Sequence, residues 1–118
     1  TYEQFLVKKD VQFIEKIHQV IEENLDNSDF NIDTIASTIG LSRSAFFKKL
    51  KSLTGFAPVD LVKEIRLNKS IELIKNSDMS ISEIAFAVGF KDSGYFSKCF
   101  RKKYDQTPRE YMNEWRKG

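Results

Sequence analysis

The chain has 118 residues, 41% of them hydrophobic, with 19 Lys and Arg against 17 Asp and Glu for a net charge of +2. That size suits one small all-α domain or two small lobes sharing a helix; no run reaches the ~18 apolar residues of a membrane span, and no secretory leader pattern is present. The charge is uneven: residues 1–41 hold 3 Lys and 8 Asp and Glu, net −5, whereas residues 42–118 are net +7, which suits a basic binding face and an acidic opposite end, as it also suits solvated helices rich in both signs.

Residues 1–9 show neither period nor cap and read as a tail or linker. A first residue of Thr1 rather than Met fits a piece of a longer protein. From Asp10 to Leu25, Val11, Ile14, Ile17, Ile21 and Leu25 recur at helical spacing. The other face of that helix carries Glu15, Glu22 and Glu23, which repel phosphate, so it reads as structural support. Asp26 to Phe30 is a turn-rich connection. Asn31 caps a short helix ending at Gly40, and Ser42 caps the next, closed by Thr54 and Gly55. In that second helix Phe46, Leu50 and Leu53 form the buried stripe, and Arg43, Ser44, Phe47, Lys48 and Lys51 the opposing face.

Pro58 opens a longer helix to about Asn76, because proline's fixed φ and missing N–H do no harm at a first helical position. At ~1.5 Å rise per residue it is roughly 28 Å long. Leu61, Ile65, Ile71 and Ile74 are its apolar side; Lys63, Arg66, Lys69 and Lys75 are its basic positions. After the break at Asn76–Ser80, Ser80 and Glu83 form a capping box ahead of Ile81, Ile84, Ala85 and Val88. Gly89 permits a tight exit, having no Cβ to obstruct a left-handed backbone. The following helix puts Phe96 and Phe100 on one face and Ser93, Gly94, Ser97, Lys98 and Arg101 on another. Thr107, Pro108 and Glu110 then make a strong start for the last helix.

The pattern occurs twice. NIDTIASTIGL (31–41) aligns with SISEIAFAVGF (80–90) at a shift of 49 residues, and Phe46, Lys48, Leu50, Lys51 and Pro58 align with Phe96, Lys98, Phe100, Arg101 and Pro108 at a shift of 50. The single extra residue falls in the turn, where an insertion is best tolerated. Two helix-turn-helix units (31–55 and 80–104) joined by a long helix (58–76) make an all-α chain of about seven helices. A helix with small residues early and basic residues later suits a major groove, its start near base edges and its end near phosphates.

From about Val11 to Trp115 the chain resembles the DNA-binding domain of AraC/XylS-type bacterial transcription regulators. Arg66-Leu67, Ile81 to Phe90, Tyr95 to Phe100, Thr107-Pro108 and Tyr111 carry the resemblance most strongly. It marks 10–118 as that domain and implies sequence-specific binding of double-stranded DNA, a cytoplasmic setting, a sensor or dimerisation region outside this chain, and RNA polymerase as a further partner. SRSAFFKKLKSLTG and YFSKCFRKKY are most similar to the output domains of hybrid two-component regulators. Where the family pattern often has Ala, this chain has Ser70.

The resemblance maps base reading to Ser44, Phe47 and Lys48 in the first unit and to Ser93, Gly94, Ser97 and Lys98 in the second. Lys donates to guanine O6 and N7, Ser donates or accepts, and Phe47 suits a thymine methyl. Phosphate contacts are expected from Ser42, Arg43, Lys51, Arg66, Arg101 and Lys102, helped by helix N-terminal N–H groups. No nucleophile–base pair, phosphate-cradling glycine loop or metal spacing appears, so neither an enzyme nor a cofactor is expected. His18 stands alone and Cys99 is the one cysteine, which excludes an internal disulfide and fits a reducing compartment. Asn68-Lys69-Ser70 matches a glycosylation acceptor by chance, inside a helix. The alternative to DNA binding is a helical interaction module whose exposed Phe47 and basic faces hold an acidic partner protein.

Overall fold

A computed structural model describes residues 1–116, all of them helix, turn or irregular backbone. The helices are α1 (Tyr2–Glu23), α2 (Ile32–Thr38), α3 (Arg43–Thr54), α4 (Pro58–Asn76), α5 (Ile81–Ala87), α6 (Ser93–Tyr104) and α7 (Pro108–Trp115). The chain divides into two units. The first holds Thr1–Asn24 and Asp29–Ile65; the second holds Leu25–Ser28 and the chain from Arg66 on. The Leu25–Ser28 connection between α1 and α2 thus belongs to the second unit, and α4 contributes to both.

In the first unit Ile17, Val20 and Ile21 of α1 are buried with Ile35 and Ala36 of α2, Phe46 and Leu50 of α3, and Leu61 and Ile65 of α4. The Phe13 ring meets Phe46 edge-on at 6.5 Å, and the Lys49 ammonium lies 4.3 Å from the Phe13 ring centre. Residues 1–9, read from the sequence as a tail or linker, are helical: α1 starts at Tyr2, under a capping box in which the Thr1 hydroxyl accepts from the Gln4 N–H and the Gln4 side chain accepts from Thr1. Leu53 leaves the predicted buried stripe, being 38% exposed in the last turn of α3.

The second unit is built on rings. Phe90 meets Phe96 at 5.2 Å, Phe96 meets Phe100 at 5.8 Å, and Phe100 meets Tyr104 and Tyr111 at 4.6 and 5.8 Å. Leu25, Leu67, Ile74, Ile84, Ala85 and Val88 complete the core. At its end Trp115, half-exposed, is covered by the Lys75 ammonium at 4.1 Å.

Sequence signals for helix starts act as read. Asn31, Ser42, Ser80 and Thr107 each accept from a backbone N–H three residues on. For α5 the box is reciprocal: the Ser80 N–H donates to Glu83 Oε1 at 3.0 Å, and the Glu83 N–H donates to Ser80 Oγ at 3.1 Å. The Ser80 backbone N–H, and then its hydroxyl, hold the Glu83 carboxyl below the usual glutamate range. A group whose folded pKa is depressed stabilises above its unfolded pKa and loses that contribution as pH falls through the folded one. Glu83→Gln is therefore expected to sit below the wild type in urea midpoint at neutral pH. The gap should close as pH falls below about 4; a gap that stays constant with pH would refute the assignment.

Candidate nucleic-acid interface

Each unit presents the same local device. The N–H of Leu41 donates to Ala36 O at 2.9 Å and that of Gly40 to Ser37 O at 3.1 Å. In the second unit the Phe90 N–H donates to Ala85 O at 2.9 Å and the Gly89 N–H to Phe86 O at 3.0 Å. These paired bonds are Schellman closures, which satisfy the last carbonyls of a helix as the chain reverses. Each turn then delivers a 12-residue helix, α3 or α6.

On α3, Ser44, Phe47, Lys48 and Lys51 follow one another at i, i+3, i+4 and i+7, and all four are exposed opposite Phe46 and Leu50. Phe47 is 47% exposed, so it faces out rather than into a local groove. Ser42 is the N-cap, its hydroxyl accepting from the Ala45 N–H at 3.1 Å. Arg43 lies 3.4 Å from Asp33, a surface pair of little stabilising value. The Lys51 ammonium donates to Gly55 O at 2.9 Å and so serves the end of α3 while remaining exposed.

On α6, Gly94, Lys98, Arg101 and Lys102 are exposed. Ser93 and Ser97 lie at the edge of this face, half-buried, and the Ser97 hydroxyl donates back to Ser93 O at 3.0 Å. The helix cap is Asp92, whose carboxylate accepts from the Gly94 N–H at 2.7 Å. Sequence reasoning missed Tyr95, half-exposed in the first turn of α6 with its ring 6.0 Å from Phe90. Its spacing to Lys98 and Lys102, three and seven residues, is the signal that marks it as part of the same strip.

Arg66 is a correction. Expected at phosphates, it is 7% exposed. Its Nη1 donates to Val88 O at 3.1 Å and its Nη2 to Asn27 O at 3.3 Å. Burial pushes its guanidinium pKa down, and it stays charged because arginine starts so high. Among the described residues no group of three or more His, Cys, Asp or Glu side chains is placed to hold a metal ion, and no helix is long and apolar enough to cross a membrane.

Two tight turns, each delivering a helix with an open basic strip, define a tandem helix-turn-helix DNA-binding domain. Residues 35–114 match the helix-turn-helix domain family. Over 106 residues the chain is 38% identical to histidine kinase P4 of Formosa agariphila, covering 90% of this chain and 8% of that protein. The C-terminal domain of the two-component response regulator yesN from Fusobacterium nucleatum superposes with a TM-score of 0.77 at 30% identity, covering 86% of this chain and 98% of that one. The DNA-binding domain of AdpA, a global transcriptional factor solved with a target DNA, gives a TM-score of 0.80 at 28% identity, covering 88% and 92%. The chain belongs to the AraC-type family of helix-turn-helix DNA-binding domains. It spans less than a third of the length of the curated relatives it matches.

Proposed function

We propose that this chain is the DNA-reading output module of a signal-responsive transcription regulator, with α3 and α6 each entering a major groove. The observation that carries this is the pair of open strips, Ser44-Phe47-Lys48-Lys51 on α3 and Gly94-Lys98-Arg101 on α6, each set behind the same closed turn. Lys48 and Lys98 donate to guanine edges, Ser44 reads by hydrogen bonding, and Phe47 packs on a thymine methyl. Ser93, Gly94 and Ser97 let the start of α6 approach the bases closely, with Ser97 keeping an acceptor lone pair. Ser42, Arg43, Lys51, Arg101 and Lys102 meet phosphates, fixing register without reading sequence. The Asp92 carboxylate already satisfies an N-terminal N–H of α6, so phosphate contact in the second unit falls to the basic later half of that helix.

The two half-sites then lie in successive major grooves, about 34 Å apart. The histidine kinase and response-regulator relatives support an attached sensing region beyond this chain. In this reading the module is not an enzyme, works in the cytoplasm and acts on RNA polymerase at a promoter. Selection from random duplexes at ~150 mM salt is expected to enrich a bipartite site. Lys48→Ala and Lys98→Ala should each relax only their own half, by about 1–3 kcal/mol. If no duplex is enriched, the DNA reading fails and an acidic protein partner for the same basic faces takes its place.

A further inference from the structure

Arg66 has a counterpart. The shift of 50 residues that pairs Pro58 with Pro108 also pairs Arg66 with Arg116, each eight residues after the proline that opens its helix. Both guanidiniums end on backbone carbonyls. Arg116 donates from Nε to Ile74 O at 3.0 Å, from Nη1 to Met79 O at 2.7 Å and from Nη2 to Leu73 O at 3.4 Å, closing the end of α4 and the connection to α5. Arg66 takes the equivalent connection before α2, at Asn27, and adds a second target, Val88.

Val88 is the C-cap of α5, one residue before the turn glycine and five before the start of α6. The guanidinium fills the space beside Gly89: a Cβ built there would fall on Arg66 Nη1 and against Leu25 O. At Gly40, the equivalent place in the first unit, a Cβ would meet nothing within 4 Å. The far end of α6 is also held from α4, because Asn68 Oδ1 accepts from the Lys103 ammonium at 2.6 Å and from the Tyr104 hydroxyl at 3.1 Å. A planar fork that reaches two carbonyls at once fixes an angle; an ammonium is a single point and does not.

We propose that Arg66 is a positioning residue for DNA recognition: by tying the turn between α5 and α6 to the Asn27 carbonyl, it sets the direction in which α6 presents Tyr95 and Lys98, without touching DNA itself. This rests on the reading of α6 as the helix that reads the second half-site. At Gly40, the matching turn of the first unit, nothing lies within 4 Å of the place a Cβ would take, so the effect is confined to one half of the operator.

The test uses a duplex selected by the wild-type chain and variants of it altered in one half-site at a time. Arg66→Lys keeps the charge and removes the fork. The expected result is a loss of about tenfold in discrimination at the second half-site. Discrimination at the first half-site stays unchanged, and so does the slope of log affinity against log salt. Arg66→Gln, which removes the charge, separates the alternative: if it shrinks that slope by about 0.9 while Arg66→Lys leaves discrimination intact, Arg66 is a phosphate contact and the proposal is overturned. No change in either quantity overturns it too, since the turn then needs no clamp. Lys98→Ala is the control: if it leaves the second half-site untouched, the reading of α6 fails first and the positioning role falls with it. Should Arg66→Lys not fold, the wild-type guanidinium is followed by NMR. Slowly exchanging Arg66 N–H protons, unmoved when the duplex is added, support the clamp; fast exchange with a large shift on adding the duplex overturns it.

Discussion

Gly89→Ala is expected to cost the second unit about 4 kcal/mol or more, and Gly40→Ala only about 1–2 kcal/mol, although the two glycines are equivalent in the repeat. Both have positive φ, +76° at Gly40 and +95° at Gly89, so both substitutions force an L side chain into the left-handed region. At Gly40 that backbone strain is the whole penalty. At Gly89 the added methyl displaces the Arg66 guanidinium, and two charge-assisted hydrogen bonds go with it. Hydrogen bonds to charged groups are worth about 1.5–3 kcal/mol each, and overpacking adds about 1–3 kcal/mol. Against a total stability of about 5–15 kcal/mol for a domain, that sum brings the second unit close to unfolding. Urea titration of the two variants beside the wild type measures the difference. Equal losses would mean that the guanidinium and the Leu25 carbonyl both move aside freely, and would remove the basis for treating Arg66 as a clamp.

Phe100→Ala is the other large expected loss, about 3–5 kcal/mol. Phe100 is fully buried and its ring touches those of Phe96, Tyr104 and Tyr111, so truncation removes apolar burial and three aromatic contacts together. Neighbours on α6 and α7 hold the gap open, because their own positions are set by the helices that carry them. Phe47→Ala is the contrasting change: that exposed side chain should leave stability within about 0.5 kcal/mol. Chemical denaturation distinguishes them, and a Phe100→Ala loss below about 1.5 kcal/mol would show that the ring cluster repacks.

Much of this fold is written in short-range signals. The capping oxygens of Ser42, Ser80 and Thr107, the prolines at 58 and 108 and the glycines of the two turns act within four residues of themselves, so a reader of the chain alone can place them. The first turns of α1 escape that reading because Tyr2, Phe5, Leu6 and Val7 lie exposed around the cylinder and give no single stripe. The open faces of α3 and α6 are legible because the residues opposite them, Phe46, Leu50, Phe96 and Phe100, are unmistakably apolar. Arg66 is the instructive failure. A cation in a basic stretch looks solvated, and its true partners are carbonyls 22 and 39 residues away that no side-chain pattern announces. Its equivalence to Arg116 was the available clue. Leu67 falls outside the spacing of Leu61 and Ile65, so the periodicity of α4 did not mark its burial.

The assignment of Leu25–Ser28 to the second unit bears on how the chain is made. A nascent chain has these four residues in hand long before Arg66 or Gly89 leaves the ribosome. At about 5–20 residues per second, translation from Ser28 to Gly89 takes roughly 3–12 s. Helices α1, α2 and α3 can close on one another during that interval while the segment between α1 and α2 waits for its partners. Completing the second unit then requires late-made chain to capture an early loop, and a pause or truncation after residue 65 would leave the Asn27 carbonyl without the Arg66 guanidinium.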